Sequence, residues 1–430
     1  MGAPPPPRLR RVLGLTQVTA SGVGIIIGAG IYVLLGPATA QAGGLVWLSF
    51  IVAALLCGLT ALSYAELASM FPTAGAEYEY TRQVFPAGVA FVVGWSMITG
   101  LVIAAATIAL GFGRYLQEFV DLDARIGAWA LLAVVTVVAL AGIRRSTWVV
   151  VILSAVQIGG LLFVTVIGLG HVGEVDLLSG KGTSGVVGAA ALVFFAFIGF
   201  DEVITLAEET QDPSRTIPRA LFLALAISTF LYATVSIAAV SALAPAALGR
   251  SMRPLADVMT HVVGGPAVQT MAVIALLTTA NTTLLAVTAS SRLAFGMADR
   301  KSLPGALARV DTRGVPRAAV LLAACGAAAF VAFGDLTLVA GATDFAVYAV
   351  FLAVNAAVIA LRLRQPDTDR PFRIPLAIGR VPVIPIAALL VTVVMIPQLE
   401  EGALWIGLGL LVSGAVAYLV LNRAGRPTRG

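Results

Sequence analysis

Long apolar segments follow one another along almost the whole chain, and this arrangement restricts it to a membrane fold. A helix that crosses the hydrocarbon core of a bilayer needs about 20 mostly apolar residues. Charged residues fill only 11% of the 430 positions and the mean hydropathy is +0.98, whereas a soluble domain has roughly 25% charged residues. The sequence therefore predicts an all-α membrane protein with twelve spanning helices. The predicted spans are 13–37, 45–70, 87–117, 126–142, 147–169, 185–206, 219–243, 264–291, 317–334, 336–361, 381–398 and 403–421.

The lysines and arginines between the spans predict the orientation of the chain. Cytoplasmic loops of membrane proteins are enriched in these residues. If the amino terminus lies inside, 22 of the 27 basic residues fall on the cytoplasmic side. The sequence therefore predicts a multi-pass protein of the plasma (cell inner) membrane, with residues 1–12 and 422–430 as cytoplasmic tails. Basic loops beside anionic lipid account for the formal charge of +5, so nucleic-acid binding is not needed to explain it.

Glycines interrupt the first predicted span. Gly22, Gly24, Gly28 and Gly30 lie within nine residues of one another, and each glycine costs a helix about 1 kcal/mol relative to alanine. A second interruption falls at residues 194–202 of the sixth predicted span, where acidic residues follow an aromatic run. Broken helices at corresponding places in two halves of a hydrophobic chain indicate a transport site near the middle of the membrane.

Main-chain groups at the two breaks suit a zwitterion. A helix that restarts near Ala29 presents unpaired N–H groups and the positive end of the helix dipole, which favour a carboxylate. The segments that end at the breaks present carbonyl groups, such as those of Ile26 and Ile27, which favour an ammonium group or a small cation. We therefore predict a site for the backbone of a free α-amino acid. The predicted substrate-binding residues are Ile26, Ile27, Gly28, Ala29, Gly30, Ile31, Phe195, Ala196, Phe197, Ile198 and Phe200.

Each of these features also has a purely structural interpretation. Gly24 and Gly28 fit a small-xxx-small contact between packed helices. Phe195 and Phe200 serve equally well as lipid-facing bulk or as caps over a bound side chain. The presence of a second break, with acids beside it, favours the functional interpretation.

Carboxylates inside the predicted spans are candidates for gating or coupling. A carboxylate at the membrane centre costs about 2.5–3.5 kcal/mol even on the most lenient scale, so it normally faces a cavity and serves a function. Asp201 lies next to the second break and is the preferred functional group of the adjacent pair Asp201-Glu202. Glu202 is expected to make a structural hydrogen bond, and Asp344 is expected near the extracellular end of its span.

Motifs along nearly the whole chain resemble those of the amino acid–polyamine–organocation superfamily, and within it the bacterial relatives of the cationic amino acid transporters. The resemblance implies the leucine-transporter-type fold, with two inverted five-helix repeats over about 13–170 and 185–361 and two peripheral helices over 381–421. It also implies alternating access around a substrate held by broken helices one and six. The motifs are Ile27-Gly28-Ala29-Gly30-Ile31-Tyr32, Tyr64-Ala65-Glu66-Leu67, Gly94-Trp95, Phe194-Phe195-Ala196-Phe197-Ile198-Gly199-Phe200-Asp201, Ala207-Glu208-Glu209, Pro213, Arg215, Ile217-Pro218-Arg219, Ser291-Arg292 and Leu303-Pro304.

Three departures from that family change what the resemblance implies. Ala29 stands where many members have Ser or Thr. The third span lacks the glutamate of many cationic transporters, so its side-chain pocket, predicted at Gly100 and Ala104, favours a neutral amino acid. Gln157 stands where proton-coupled members have a lysine, so coupling runs through Asp201 or another acid, or the protein exchanges or passively carries substrates. The predicted coupling or gating residues are Asp201, Gln157, Phe195 and Phe200.

These observations favour a secondary transporter that moves a neutral amino acid by alternating access. The alternatives are a polyamine or cationic amino acid carrier, an amino acid exchanger without proton coupling, and a receptor that binds without transport. The two histidines, His171 and His261, belong to no metal-binding motif, so no enzyme, metal or cofactor is expected. The expected partners are a free amino acid and the lipid bilayer, and an accessory subunit is left open.

Overall fold

The computed structural model describes residues 13–71, 76–141, 147–206, 210–312 and 314–424. The predicted tail 1–12, most of the tail 422–430 and the motif Ala207-Glu208-Glu209 lie outside these residues. The described chain is mostly helical, with a short antiparallel hairpin of β1 (Ala377–Ile378) and β2 (Val381–Pro382). The α-helices are α1 Leu15–Ile27, α2 Gly30–Ala42, α3 Val46–Met70, α4 Ala76–Arg82, α5 Ala87–Leu116, α6 Ala124–Leu140, α7 Thr147–Leu169, α8 Gly182–Val193, α9 Glu202–Thr205, α10 Pro213–Ala242, α11 Pro245–Leu248, α12 Pro254–Val262, α13 Pro266–Asp299, α14 Arg317–Val331, α15 Leu336–Arg364, α16 Val383–Met395 and α17 Glu401–Ala424.

Eight helices among the described residues are long and apolar enough to cross a membrane. A ninth span is present if α1 and α2, which meet at a 48° bend, are counted as one. The other three predicted spans, 126–142, 317–334 and 381–398, coincide with shorter apolar helices. The chain is therefore a mostly helical, multi-pass membrane protein. The eight long candidates are Val46–Met70, Ala87–Leu116, Ile152–Leu169, Gly182–Ile204, Pro213–Ala242, Pro266–Asp299, Leu336–Arg364 and Glu401–Arg423.

The first span is interrupted at its glycines. α1 ends at Ile27 and α2 begins at Gly30, so Gly28 and Ala29 form the link. Gly28 has a φ of 33°, in the left-handed region that side chains disfavour. The change of direction at this link leaves the carboxyl end of α1 and the amino end of α2 facing the interior of the protein.

The sixth predicted span is also interrupted. Regular α-helix stops at Val193, and a 3₁₀ turn follows over Phe194–Phe197. Gly199, with a φ of 108°, lies in the non-helical link before α9 begins at Glu202. Only glycine adopts this backbone conformation readily, so the link depends on Gly199.

Aromatic side chains fill the space between α3, α15 and the broken sixth span. Tyr64 lies edge-on to Phe200, with ring centroids 5.5 Å apart, and Phe351 contacts Phe194 at 5.2 Å and Phe200 at 5.5 Å. Each such pair contributes about 0.5–1.5 kcal/mol beyond the area it buries. This cluster holds the sixth-span break against two continuous helices, and α5 packs against α13 and α15 beside it.

A buried ion pair ties α3 to the far end of α15. Arg362 donates from Nε to Glu66 Oε1 at 2.9 Å and from Nη2 to Oε2 at 2.5 Å. The main-chain N–H of Ile374 also donates to Glu66, at 2.8 Å, and Arg370 Nε lies 3.3 Å from Oε1. Because all three charged side chains are nearly inaccessible to water, removing one partner leaves a buried charge and costs about 3–5 kcal/mol.

Candidate functional site

The two breaks border a cavity of about 50 Å³. A water molecule needs roughly 10–15 Å³ of such space, so this cavity has room for about three to five waters. Its walls come from the α1–α2 link, the sixth-span break, α5 and α13. The lining residues are Ile25, Ile26, Gly28, Ala29, Gly30, Leu101, Ala104, Ile108, Phe195, Ala196, Ile198, Gly199, Glu202, Thr282, Leu285 and Ala286.

Most of the predicted substrate-binding residues lie at this cavity, and the others pack behind it. Phe197 lies edge-on to Tyr232, and Phe200 packs in the aromatic cluster. Gly100 faces α15, where an added Cβ would lie 3.3 Å from the side chain of Ala346. The predicted residues that line the cavity are Ile26, Gly28, Ala29, Gly30, Ala104, Phe195, Ala196 and Ile198, and those that do not are Ile27, Ile31, Gly100, Phe197 and Phe200.

The amino end of α2 borders the cavity. The first four N–H groups of an α-helix have no partner within the helix, and α2 begins at Gly30, which lines the cavity. The helix dipole adds the equivalent of roughly +0.5 charge at this end. Gly30 lets the main chain come close to the sixth span, because an added Cβ would lie 2.5 Å from the Cα of Ala196. This end of the cavity is therefore suited to an anionic group.

Tyr232 of α10 joins the two breaks through a single hydroxyl group. Its oxygen lies 2.8 Å from the carbonyl of Ile26, 2.9 Å from that of Ile27 and 2.8 Å from that of Ala196. The carbonyls of Ile26 and Ile27, expected to face an ammonium group, are thus held by a protein hydroxyl in this structure. A tyrosine within an apolar helix is ordinary in sequence, so no signal pointed to Tyr232.

Gln157 of α7 contacts the first span just before its break. Its side-chain Nε2 donates to the carbonyl of Gly24 at 3.2 Å, and its main-chain carbonyl accepts from the Tyr32 hydroxyl at 2.6 Å. The side chain of Ser154, one turn earlier, packs directly against Gly24. Gln157 therefore holds the segment that leads into the cavity, without lining the cavity itself.

Asp201 lies behind the cavity in a buried group of acids. Its carboxylate accepts from the N–H of Gly199 at 3.2 Å. The carboxyl of Glu77, from α4, is its hydrogen-bonding neighbour and also reaches the hydroxyl of Tyr64. Burial, reinforced by the charge of Asp201, raises the pKa of Glu77 well above its usual range. This cluster joins α4 to the sixth-span break. Of the adjacent acids Asp201 and Glu202, the one that lines the cavity is Glu202, although the sequence favoured Asp201 as the functional group.

The remaining walls are largely apolar. Leu101 and Ile108 of α5 and Leu285 of α13 form part of them. The hydroxyl of Thr282 donates to the main-chain carbonyl of Thr278 in its own helix, 2.9 Å away. The α13 residues were missed in the sequence because threonine, leucine and alanine recur throughout apolar helices. Among the described residues, no group of three or more histidines, cysteines and acids is placed to hold a metal ion.

Comparison with known proteins identifies the family of the chain. Residues 13–416 match the family described as amino acid permease. The chain is 34% identical to an uncharacterised transporter of Mycobacterium tuberculosis, over 98% of this chain and 94% of that protein. It is 32% identical to the branched-chain amino acid permease BcaP of Bacillus subtilis and 30% identical to the methylthioribose transporter of the same organism, in each case over 96% of this chain and 94% of the relative. The chain is therefore a member of the amino acid permease family, within the amino acid–polyamine–organocation superfamily.

Proposed function

We propose that this protein is a secondary transporter that moves a neutral, apolar amino acid across the plasma membrane by alternating access. The observation that carries the proposal is the cavity between two broken spans, where the amino end of α2 faces apolar walls. A helix start without side chains in the way favours a carboxylate, and the walls favour an aliphatic side chain. Membership of the amino acid permease family supports the same substrate class.

We place the substrate carboxylate at the N–H groups of Gly30 and its neighbours. Each hydrogen bond to the charged carboxylate would contribute about 1.5–3 kcal/mol. The side chain would lie against Leu101 and Ile108, and the ammonium group on the side of the cavity that Glu202 lines. The hydroxyl of Tyr232 occupies the carbonyls of Ile26 and Ile27, so they are not assigned to the ammonium group.

We also propose the twelve-span arrangement, with both termini cytoplasmic. The nine long or bent candidates and the three shorter apolar helices among the described residues support that number. An even number of spans is consistent with the distribution of lysine and arginine, which places 22 of 27 on one side. The two five-helix repeats, over 13–170 and 185–361, and the peripheral pair over 381–421 belong to this proposal.

Counterflow in proteoliposomes tests the proposed function. Purified protein is reconstituted, loaded with one unlabelled amino acid at a time, and assayed for entry of the same labelled amino acid. Wild-type protein should exchange neutral apolar amino acids, and Gly30→Leu should abolish exchange, because a side chain at 30 overlaps the main chain of Ala196. Gly409→Leu is the matched control, since Gly409 is exposed on α17 with open space around it.

Two outcomes would contradict this proposal. Normal exchange by Gly30→Leu would remove the main-chain site, and failure of every neutral amino acid to exchange would remove the substrate class. A competition series with arginine and spermidine tests the cationic alternative, in which Glu202 would act as the counter-charge at the cavity. Methylthioribose belongs in the same series, because one relative is named for its transport.

A further inference from the structure

One face of α15 carries a row of side chains that contact the neighbouring helices. Tyr348 donates from its hydroxyl to the carbonyl of Ala191 in α8, at 3.0 Å. Asn355 donates to the Thr60 hydroxyl of α3 at 3.1 Å and accepts from the Ser63 hydroxyl at 2.6 Å. Phe351 and Arg362 continue the row with the aromatic cluster and the buried ion pair. Every one of these side chains has a partner on another helix.

Asp344 lies one turn before Tyr348 on the same row and differs from the others. The residue has no exposed surface, and neither carboxyl oxygen has a hydrogen-bond partner among the described residues. It lies about 12 Å along α15 from Leu336, since each residue rises about 1.5 Å. It is therefore buried among the helices about two turns after α15 begins. An unpaired carboxylate at such a place is costly, whereas the neutral acid is tolerated.

Among the described residues, no cation faces Asp344 from the helices that pack on α15. The titratable groups near enough to interact with it are Cys57 of α3 and the Tyr348 hydroxyl. α8 and α16 carry no titratable residue, and the titratable residues of α5, Arg114 and Tyr115, lie in its last turn. The other titratable residues of α3 are Tyr64 and Glu66, and those of α4 are Glu77, Tyr78, Glu79, Tyr80 and Arg82. Tyr64 belongs to the aromatic cluster, Glu77 and Tyr80 lie beside it, and Arg82 pairs with Glu79. On α17 they are Glu401, Tyr418 and Arg423, at or near its ends.

We propose that Asp344 is the residue that binds a proton and couples substrate movement to the proton gradient. In the conformation described here its carboxyl group is neutral, with the proton on one of its oxygens. When α15 moves relative to α3 and α8 during alternating access, the carboxyl group meets water and the proton leaves to that water. The inference rests on the proposed function, because it requires a transport cycle that exposes this face of α15 to water.

Proteoliposomes with a pH gradient and no other driving force test this role. At one-to-one coupling, a gradient of one pH unit drives accumulation to about tenfold at equilibrium. Wild-type protein should accumulate a substrate found by counterflow and should carry protons inward with it, followed by a pH-sensitive dye inside the vesicles. Asp344→Asn, which mimics the neutral acid, should keep counterflow but lose accumulation and proton movement. Asp335→Asn is the matched control, since Asp335 is an exposed acid that caps the same helix.

A second variant and a spectroscopic measurement separate coupling from folding. Asp344→Glu keeps a titratable acid and should restore accumulation with an altered dependence on pH. An infrared difference spectrum between the wild-type protein and Asp344→Asn should show the carbonyl stretch of one protonated carboxyl group, while the contribution of Glu77, which both proteins keep, cancels. Unchanged gradient-driven accumulation by Asp344→Asn would overturn the inference, as would wild-type exchange without any proton-driven accumulation. Failure of all amino acids in wild-type counterflow would instead remove the proposed function.

Discussion

The Tyr232→Phe substitution removes one hydroxyl group from the point where both broken spans meet. That hydroxyl lies within 2.9 Å of three carbonyl groups, two from the first span and one from the sixth. It has one proton to donate, so the three contacts are not additive. Removing it leaves buried carbonyls without a donor, which costs about 1–3 kcal/mol for each group left unsatisfied. We expect a loss of about 2–3 kcal/mol of unfolding free energy.

Tyr348→Phe is the matched comparison, because both residues are fully buried tyrosines. The Tyr348 hydroxyl donates to one carbonyl, that of Ala191 at 3.0 Å. Its removal should cost about 1 kcal/mol, the net value of one ordinary hydrogen bond. Denaturant unfolding of both variants in the same detergent, followed by tryptophan fluorescence, measures the difference. Equal destabilisation by the two substitutions would refute the argument that Tyr232 fastens both breaks at once.

Two further predictions concern acids outside the cavity. Glu66→Gln should lower the unfolding free energy by about 3–5 kcal/mol in the same denaturant assay, because it leaves Arg362 buried beside a neutral partner. Asp123→Asn should leave stability unchanged, since its pair with Arg125 is half-exposed, and equal losses for the two variants would contradict this reasoning. The raised pKa of Glu77 means that the folded protein holds this proton more tightly than the unfolded chain. The contribution of Glu77 to the unfolding free energy is therefore complete at acidic pH and is lost as the pH rises through the raised pKa. Glu77→Gln should flatten the alkaline limb of a stability–pH curve, and a limb as steep as that of the wild type would count against it.

The membrane class and the first break were predictable because they depend on local chemistry. Hydropathy defines most spans directly, and four glycines in nine residues leave few alternatives to an interrupted helix. Gly28 and Gly199 both adopt positive φ values, which is the property that a glycine at a break suggests.

Features that depend on packing between distant segments were not predictable in this way. Tyr232 is 36 residues from Ala196 and 206 from Ile26 along the chain, and nothing nearby in sequence marks its contacts. The cavity walls on α13 have ordinary apolar composition. The sequence shows Asp344 as an isolated acid within a span, but its lack of hydrogen-bond partners among the described residues depends on the helices around it. These contacts depend on which helices pack together, and a single sequence does not show that packing.

The close approach of Gly30 to Ala196 has a mechanical consequence. Main-chain atoms of the two residues lie where a methyl group would not fit between them, so the restarted first helix and the turn of the sixth have little room to slide past each other. These two segments would therefore move as one rigid unit. In the proposed transport cycle, a substrate bound to either segment would therefore move together with both.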